Sequence, residues 1–318
     1  MNSILSALPF PVALHACADY QPERVDLAIF GCLDACGWAP PYGCRVLVKP
    51  NLLRADALTC THPYIVRAAC QWLLDHHAQV TVADSPGFGT AAHVARSIGL
   101  SAALKPLGLS VASLEQALPV PLPHGGGGHW GVSATALQAD VILSVPKVKA
   151  HCQMRLTLAV KNLFGCVCGW RKAVAHTVQG VSAAQFTAAL VDLWAALPPV
   201  MALADGIEGM HKTGPSGGAP FPLHCVAAST SAMALDTAFY TMLKVQSADV
   251  PLWLASCKRQ IAGAQWQDLT FPLAQPHDFD TANFIVPAQL MGLSFRPQRL
   301  LFSLCRRWWQ SVFPHANS

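Results

Sequence analysis

Short apolar segments that alternate with amphipathic stretches constrain the fold of this 318-residue chain more than any other feature. The apolar segments have the length of buried strands, and the stretches between them have helical periodicity. The clearest strands are RVLVK (45–49), QVTVA (79–83), VILSV (141–145) and MALA (201–204), and helices are predicted at 23–37, 64–77, 91–99 and 231–243. Strands that are apolar on both faces and separated by helices indicate a mainly parallel sheet covered by helices on both faces. The sequence therefore predicts an α/β fold.

A change in composition near residue 250 divides the chain into two parts. Residues 1–250 hold the predicted strands and form the α/β domain. Residues 251–318 are richer in Gln, Pro and Trp and are predicted to be a C-terminal extension. Within it, residues 299–313 place arginines on one helical face and tryptophans on the other, which predicts an amphipathic helix. Such a helix can pack on its own domain, dock a partner such as an electron donor, or make a peripheral contact with a membrane.

Composition excludes several classes of protein. Hydrophobic residues make up 53% of the chain and charged residues 12%, which excludes intrinsic disorder. No apolar run reaches the roughly 18 residues that a membrane span needs, and residues 1–18 are a poor secretory signal because they contain no Lys or Arg. The 12 cysteines are too few for a disulfide scaffold and predict buried free thiols in a reducing compartment. We therefore expect a cytoplasmic protein.

Polar residues follow several predicted strands at the point where each strand ends. In a parallel sheet the carboxyl ends of the strands meet at one edge, and ligands bind there. Turns are polar for other reasons as well, so the pattern by itself is not decisive. We expect one site at this edge, and its predicted substrate-binding residues are Lys49, Asn51, Asp84, Ser85, Lys147, Lys149 and Asp205.

The stretch between Asp140 and Asp192 has no acidic residue but is rich in Lys and Arg. Such an excess of cations indicates an anionic partner, although an ordinary basic surface would have the same composition. If residues 147–151 are extended, Lys147, Lys149 and His151 project from one face of the strand, because side chains alternate along a strand. Two ammonium groups and an imidazole on one face suit a carboxylate or phosphate ligand.

Three residues of this basic stretch are predicted to be catalytic. Lys161 lies among apolar residues, and burial lowers the pKa of a lysine so that it can act as a base or nucleophile. The alternative is a lysine whose ammonium extends to water. His151 and His176 can act as acid or base because histidine titrates near neutrality. Further predicted substrate-binding residues are Asn162, Arg171 and Lys172, and Gly214 and Gly218 from a glycine-rich loop.

No complete metal or nucleotide motif is present. The glycine run at 125–128 lacks the spacing of a phosphate-binding loop and is predicted to be a linker or hairpin tip. Cys166 and Cys168 form a close pair with Cys152 nearby, but no pair of CxxC motifs occurs, which disfavours zinc and iron–sulfur sites. The sequence thus assigns no metal ligand and no cofactor. Nucleic acid is not predicted as a partner, because the basic segment has no known reading motif.

Several segments of the chain resemble the domain of unknown function 362 family. The matching segments span roughly residues 10–245 in the right order, and the most specific are AVKNLFG (159–165) and WRKAVAH (170–176). The others are RVLVKPNLL (45–53), THP (61–63), VTVADSPGFG (80–89), ADVILSVPKVKAH (139–151), LADGIEGMHKTGP (203–215) with Gly218, and ALD (234–236).

The resemblance implies a redox association, because many family members carry a C-terminal ferredoxin-type module with CxxCxxCxxxCP cysteines. This chain has only Cys305 after Pro297, so that module is not expected. Electrons would then come from an external donor, either another protein or a soluble cofactor. The family is also remotely similar to the nickel-pincer lactate racemases. No ligand residue can be matched to them, so that likeness concerns the fold alone.

These observations predict an enzyme that acts on an anionic small molecule or cofactor-like substrate at a Lys/His-rich site. The resemblance favours an oxidoreductase. The alternative is a non-enzymatic carrier or assembly factor that binds an anionic cofactor or a metal complex.

Overall fold

A computed structural model describes residues 9–292 of the chain. Residues 1–8 and 293–318, and with them the amphipathic helix predicted at 299–313, lie outside the described residues. The strands are β1 (Phe10–Ala16), β2 (Arg45–Pro50), β3 (Gln79–Asp84), β4 (Val111–Ser113), β5 (Ala117–Pro121), β6 (His129–Ser133), β7 (Val141–Val145), β8 (Lys147–His151), β9 (Arg155–Thr157), β10 (Val200–His211), β11 (Ala219–Ser229) and β12 (Leu269–Thr270).

Helices connect most of these strands. The α-helices are α1 (Pro22–Ala35), α2 (Pro63–Asp75), α3 (Ala91–Ser97), α4 (Leu100–Leu104), α5 (Ala134–Gln138), α6 (Ala159–Asn162), α7 (Arg171–Val178), α8 (Ala183–Ala196), α9 (Ala232–Met242) and α10 (Pro251–Lys258). Short 3₁₀ helices span Ala57–Thr59, Lys105–Leu107, Leu163–Cys166, Gln179–Val181, Ser247–Asp249, Trp266–Asp268 and Pro276–Asp278. None of the helices within residues 9–292 is long and apolar enough to cross a membrane.

Ten of the strands form one mixed sheet in the order β12-β1-β11-β10-β7-β2-β3-β4, with β8 paired to β10 and β9. The run from β10 to β4 is parallel throughout, whereas β11 pairs antiparallel with β1 and β10. Successive residues of a strand enter opposite cores: Leu143 packs with α1 and α2, and Ile142 packs with α8 and α9. The structure confirms the predicted α/β fold, with a mainly parallel sheet covered on both faces.

Strand β10 is longer than the sequence predicts. It continues past Ala204 to His211, because β11 supplies antiparallel partners on one side and β8 runs parallel on the other. Asp205 therefore lies within a strand and pairs with Lys147 in the register of the sheet. Strands β7 and β8 are separated only by Pro146, whose carbonyl accepts a hydrogen bond from the Asp205 N–H at 2.9 Å. The two short strands thus run one after the other along β10, and both pair parallel with it.

The glycine run at 125–128 joins β5 to β6, which pair antiparallel as a hairpin. Of the two predicted alternatives, a linker or a hairpin tip, the structure has the hairpin tip. Gly126, Gly127 and Gly128 all have positive φ angles, so residues with a Cβ atom would be strained in this tip.

Residues 251–292 run over the α/β domain and return to the candidate site. Strand β12 pairs parallel with β1 at the edge of the sheet. The segment from 283 to 292 then follows β8 and β9: the Met291 N–H donates to the Cys152 carbonyl at 2.7 Å, and the Arg155 side chain donates to the carbonyls of Pro287 and Ala288. The division of the chain at residue 250 stays a prediction.

The 11 described cysteines are all free, and nine of them are buried. The burial is as predicted from the scattered, apolar surroundings of these residues.

Candidate functional site

The carboxyl ends of β2 and β3 meet in a buried ion pair. The Lys49 ammonium donates to Asp84 Oδ1 at 2.8 Å, and both side chains are almost completely buried. The other carboxylate oxygen, Oδ2, accepts from the Leu52 N–H at 2.8 Å. Gly165 packs directly against this pair, and a Cβ atom there would lie 2.5 Å from Asp84 Oδ1. The pair is therefore fixed in position, and its charges cancel.

Two asparagines connect this ion pair to Lys149. The Lys49 ammonium also donates to Asn162 Oδ1 at 3.2 Å, and Asn51 Nδ2 donates to the same oxygen at 3.0 Å. The Lys149 ammonium donates to Asn51 Oδ1 at 2.6 Å and to the Thr59 carbonyl at 2.6 Å. Burial lowers the pKa of Lys149 to about 8. A continuous hydrogen-bond network thus joins residues that are far apart in the sequence.

Helix α6 is held in place by a buried carboxylate from α9. Asp236 accepts hydrogen bonds from the Ala159 and Val160 N–H groups at 2.7 and 3.1 Å. Burial raises the pKa of Asp236 to about 8, and the two N–H donors oppose this rise. Because α6 carries Lys161 and Asn162, Asp236 sets the position of both side chains.

Lys161 is buried against two aromatic rings. Its ammonium lies 4.3 Å from the centroid of Phe164 and 5.1 Å from that of Phe186. Within residues 9–292 it has neither a hydrogen-bond acceptor nor a carboxylate at ion-pair distance. Burial lowers the pKa of Lys161 to about 7, and the charges of Lys172 and Lys149 act in the same direction.

His151 and His176 lie beside Lys161. His151 is 6% exposed, and its Nδ1 accepts from the Gln153 N–H at 3.1 Å, so the proton of the neutral ring is on Nε2. Burial and the charges of Lys161 and Lys149 hold the pKa of His151 well below its usual value. The half-buried His176 ring stacks on Phe186 at 4.7 Å. Lys161 and His176 therefore contact the same two aromatic rings, and both act electrostatically on His151.

Ser85 and Lys172 border the same cluster. The Lys172 ammonium donates to the Ser85 carbonyl, and Ser85 Oγ accepts from the Gly169 N–H at 3.1 Å. Burial lowers the pKa of Lys172 to about 8. These contacts connect the loop after β3 to the start of α7.

Lys147 forms a separate part of the site with two residues that the sequence reasoning missed. Its ammonium donates to Asp205 Oδ2 at 3.1 Å and to the Tyr20 hydroxyl at 2.7 Å, and that hydroxyl donates to Asp205 Oδ1 at 2.8 Å. The His62 ring stacks on Tyr20 at 3.7 Å, and burial lowers the pKa of His62 to about 4. The only sequence signal for either residue is the THP segment at 61–63.

Three predicted residues lie outside the cluster. Arg171 is exposed, and its guanidinium carbon lies 5.2 Å from the centroid of the Trp170 ring. There it lines a separate groove of about 670 Å³ together with Trp130 and the β5–β6 hairpin. Gly214 and Gly218 shape the turn between β10 and β11: a Cβ atom at Gly214 would collide with the Ala150 carbonyl, and one at Gly218 would lie 2.5 Å from the Thr213 carbonyl. Close packing accounts for both glycines.

The described part of the chain contains no group of three or more His, Cys, Asp or Glu side chains placed to hold a metal ion. Cys166 and Cys168 are buried, and burial raises the pKa of the Cys166 thiol to about 12.

Fold and site together define an α/β protein with a buried, lysine-rich centre at the carboxyl ends of its parallel strands. A family model described as "Domain of unknown function (DUF362)" matches residues 46–241, which is more than half of the chain. The chain belongs to this family, and the resemblance drawn from its motifs is confirmed.

The chain is also similar to a protein of known sequence and to two solved structures. The chain is 34% identical over 280 residues to a thylakoid-associated protein of Synechocystis sp., and the match covers 84% of each protein. A crystal structure of a Thermotoga maritima protein is 11% identical with a TM-score of 0.45, covering 69% of this chain and 57% of that one. The lactate racemase apoprotein of Thermoanaerobacterium thermosaccharolyticum is 12% identical with a TM-score of 0.40, covering 60% and 50% respectively.

Proposed function

We propose that the protein is an enzyme that acts on a small anionic molecule bound in its lysine cluster. One observation carries the proposal: Lys149, Lys161 and Lys172 share one site, and within residues 9–292 none of them has a carboxylate at ion-pair distance. Lys49 and Lys147, by contrast, are each paired with an aspartate. Lys149 and Lys161 are buried, whereas Lys172 is partly exposed. Burying uncompensated ammonium groups is costly, and an anionic ligand would reduce that cost.

The side chains around this position divide into binding and proton-transfer groups. Lys149 and Lys172 keep N–H donors that are not used by protein acceptors and would bind the anion. Lys161, with a pKa near neutrality, would act as a base or nucleophile. His176 would transfer protons, and the neutral His151 would donate from Nε2. The two asparagines and the two ion pairs would hold these groups in place.

The redox part of the proposal rests on the family resemblance. An oxidoreductase with this site would take electrons from an external donor, and we assign no resident cofactor and no nucleic-acid partner. We expect the protein in the cytoplasm. The name of the thylakoid-associated relative supports testing for peripheral membrane contact, for which the sequence offers residues 299–313, outside the described residues.

A carrier or assembly factor for an anionic cofactor or metal complex would use the same cluster. The two functions are distinguished by the state of the purified protein. A carrier isolated without oxygen would retain its cargo, which native mass spectrometry and a UV–visible spectrum would detect. An enzyme would be isolated without cargo and would turn over its substrate.

Thermal melting with small anions tests the binding site itself. The probes are inorganic phosphate and glycolate, a small carboxylate without a reactive carbonyl. We expect both to raise the Tm of the wild-type protein, because a ligand that binds only the folded state stabilises it. Lys149→Met should lose this increase, whereas Lys258→Met, at an exposed lysine of α10, should keep it. An equal increase in all three proteins, or none in the wild type, would overturn the proposal.

A further inference from the structure

Lys161 differs from the other lysines of the site in its hydrogen bonding. Lys49 and Lys147 donate to carboxylates, Lys149 to an amide and a carbonyl, and Lys172 to a carbonyl. Each of these acceptors stabilises the protonated form of its lysine. Lys161 has no hydrogen-bond acceptor among the described residues, and the rings of Phe164 and Phe186 have their centroids 4.3 and 5.1 Å from its ammonium. Among the lysines of the site, Lys161 therefore has the protonated form that is stabilised least by hydrogen bonds.

We propose that Lys161 is a nucleophile that forms an imine with the carbonyl carbon of a small 2-oxo acid. The inference rests on the proposed function, because the carboxylate of that acid would bind to Lys149 and Lys172, the two lysines whose charges act on Lys161. A nucleophilic amine needs an electrophilic carbon, and the neighbouring cations require a negative group next to it. A carbonyl adjacent to a carboxylate has both features.

The electrostatics of the cluster favour a neutral amine at Lys161. Burial takes most of the side chain out of water, and the charges of Lys172 and Lys149 repel a further proton. Cationic neighbours and an apolar pocket are the usual means of activating a lysine nucleophile. The aromatic rings attract the ammonium and so oppose this effect, but that attraction is small beside the cost of burying a charge.

The reaction balances with groups that are present. The Nζ lone pair of Lys161 forms a bond to the carbonyl carbon, and one nitrogen proton passes to the carbonyl oxygen, which gives a carbinolamine. The second nitrogen proton leaves with the hydroxyl group as water, and a carbon–nitrogen double bond remains. The neutral His151 has its proton on Nε2 and can donate a hydrogen bond to the carbonyl oxygen during the addition.

Reductive trapping tests the imine. Full-length protein is incubated near pH 7 with glyoxylate and sodium cyanoborohydride, which delivers hydride to the imine carbon and leaves a carboxymethyl group on the nitrogen. Peptide mapping by mass spectrometry then measures the labelling rate of each lysine. We expect Lys161 to be labelled at least about tenfold faster than the exposed Lys258, because a lower pKa gives a larger neutral fraction.

Matched variants and a second probe separate the possible outcomes. Lys161→Arg should remove the fast label, and Lys149→Met should slow it severalfold by removing a carboxylate partner. If glycolate raises the Tm but Lys161 is labelled no faster than Lys258, the imine is wrong and the anion site stands. If glycolate has no effect on the Tm and no fast label appears, the proposed function fails as well. Mapping of the wild-type protein decides the question even where a variant does not fold.

Discussion

Lys161 is a single residue whose buried charge opposes the stability of the folded protein. Folding lowers its pKa from 10.5 to about 7, mainly through burial. Between these two values the unfolded chain binds a proton that the folded chain does not, so the free energy of unfolding rises as the pH increases through this range. Below pH 7 the side chain is charged in both states, and folding carries the full cost of burying that charge.

Replacing Lys161 with methionine should therefore stabilise the protein at low pH. We expect Lys161→Met to raise the free energy of unfolding at pH 6 by about 1–4 kcal/mol, since an apolar side chain of similar size removes the buried charge. The gain should disappear near pH 10, where the lysine of the wild-type protein is neutral when folded. Urea unfolding at both pH values measures the difference. A variant that is less stable than the wild type at pH 6 would show that the ammonium has a stabilising partner.

Short elements position the site more than long ones do. Helix α6 has only four residues, yet it carries Lys161 and Asn162, and it is held by the carboxylate of Asp236 on α9. So short a helix has little stability of its own. The position of these two side chains therefore depends on α9 and on the packing around it.

Removing the carboxylate that holds α6 should affect both stability and anion binding. Asp236→Ala leaves two buried N–H groups without an acceptor, and we expect a loss of about 2–4 kcal/mol together with a smaller Tm increase from glycolate. Thr90→Ala is the matched control. The Thr90 hydroxyl caps α3 by accepting a hydrogen bond from the His93 N–H at 3.2 Å, and the substitution removes that cap. That control should cost about 1 kcal/mol and leave the glycolate response unchanged. If glycolate raises the Tm of Asp236→Ala as much as that of the wild-type protein, α6 does not contribute to the binding site.

The order of the strands could be used to predict part of the site. Lys49 and Asp84 end neighbouring parallel strands, so their proximity follows from the pattern of apolar segments. Tyr20 and His62 could not be predicted in this way, because loops that are distant in the sequence bring them to Asp205. The direction in which the Arg171 side chain points depends on how α7 is rotated about its own axis. The greater length of β10 depends on its pairing with β11. Tertiary contacts decide these features, and local sequence does not encode them.

Residues 283–292 pack beside the candidate site, although they are far from most of it in the sequence. Arg155 donates to the carbonyls of Pro287, Ala288 and Asp249, and the described chain ends at Gly292, whose carbonyl accepts from Gln153 Nε2 at 2.9 Å. Gln153 and Cys152 directly follow His151 in the sequence. The segment 283–292 therefore covers the end of β8, the strand that carries His151.

Removing the hydrogen bonds of the Arg155 side chain should destabilise the segment 283–292. We expect Arg155→Ala to lower the free energy of unfolding by about 1–3 kcal/mol, because several carbonyls lose a charged donor. Amide hydrogen exchange should become faster within residues 283–292. Lys212→Ala, at an exposed side chain of the same region, should change stability by less than about 0.5 kcal/mol. Unchanged exchange in Arg155→Ala would mean that backbone hydrogen bonds alone hold the segment.

Proton uptake on anion binding shows whether the lysine cluster is the anion site. Burial lowers the pKa values of Lys149 and Lys172 to about 8, so both are partly neutral at that pH, and a bound carboxylate should favour their charged forms. Calorimetric titration with glycolate near pH 8, in two buffers of different ionisation enthalpy, measures the protons taken up. We predict proton uptake by the wild-type protein and a clear reduction in Lys149→Met and in Lys172→Met. Binding without proton uptake, or the same uptake in both variants, would contradict the assignment of the anion to this lysine cluster.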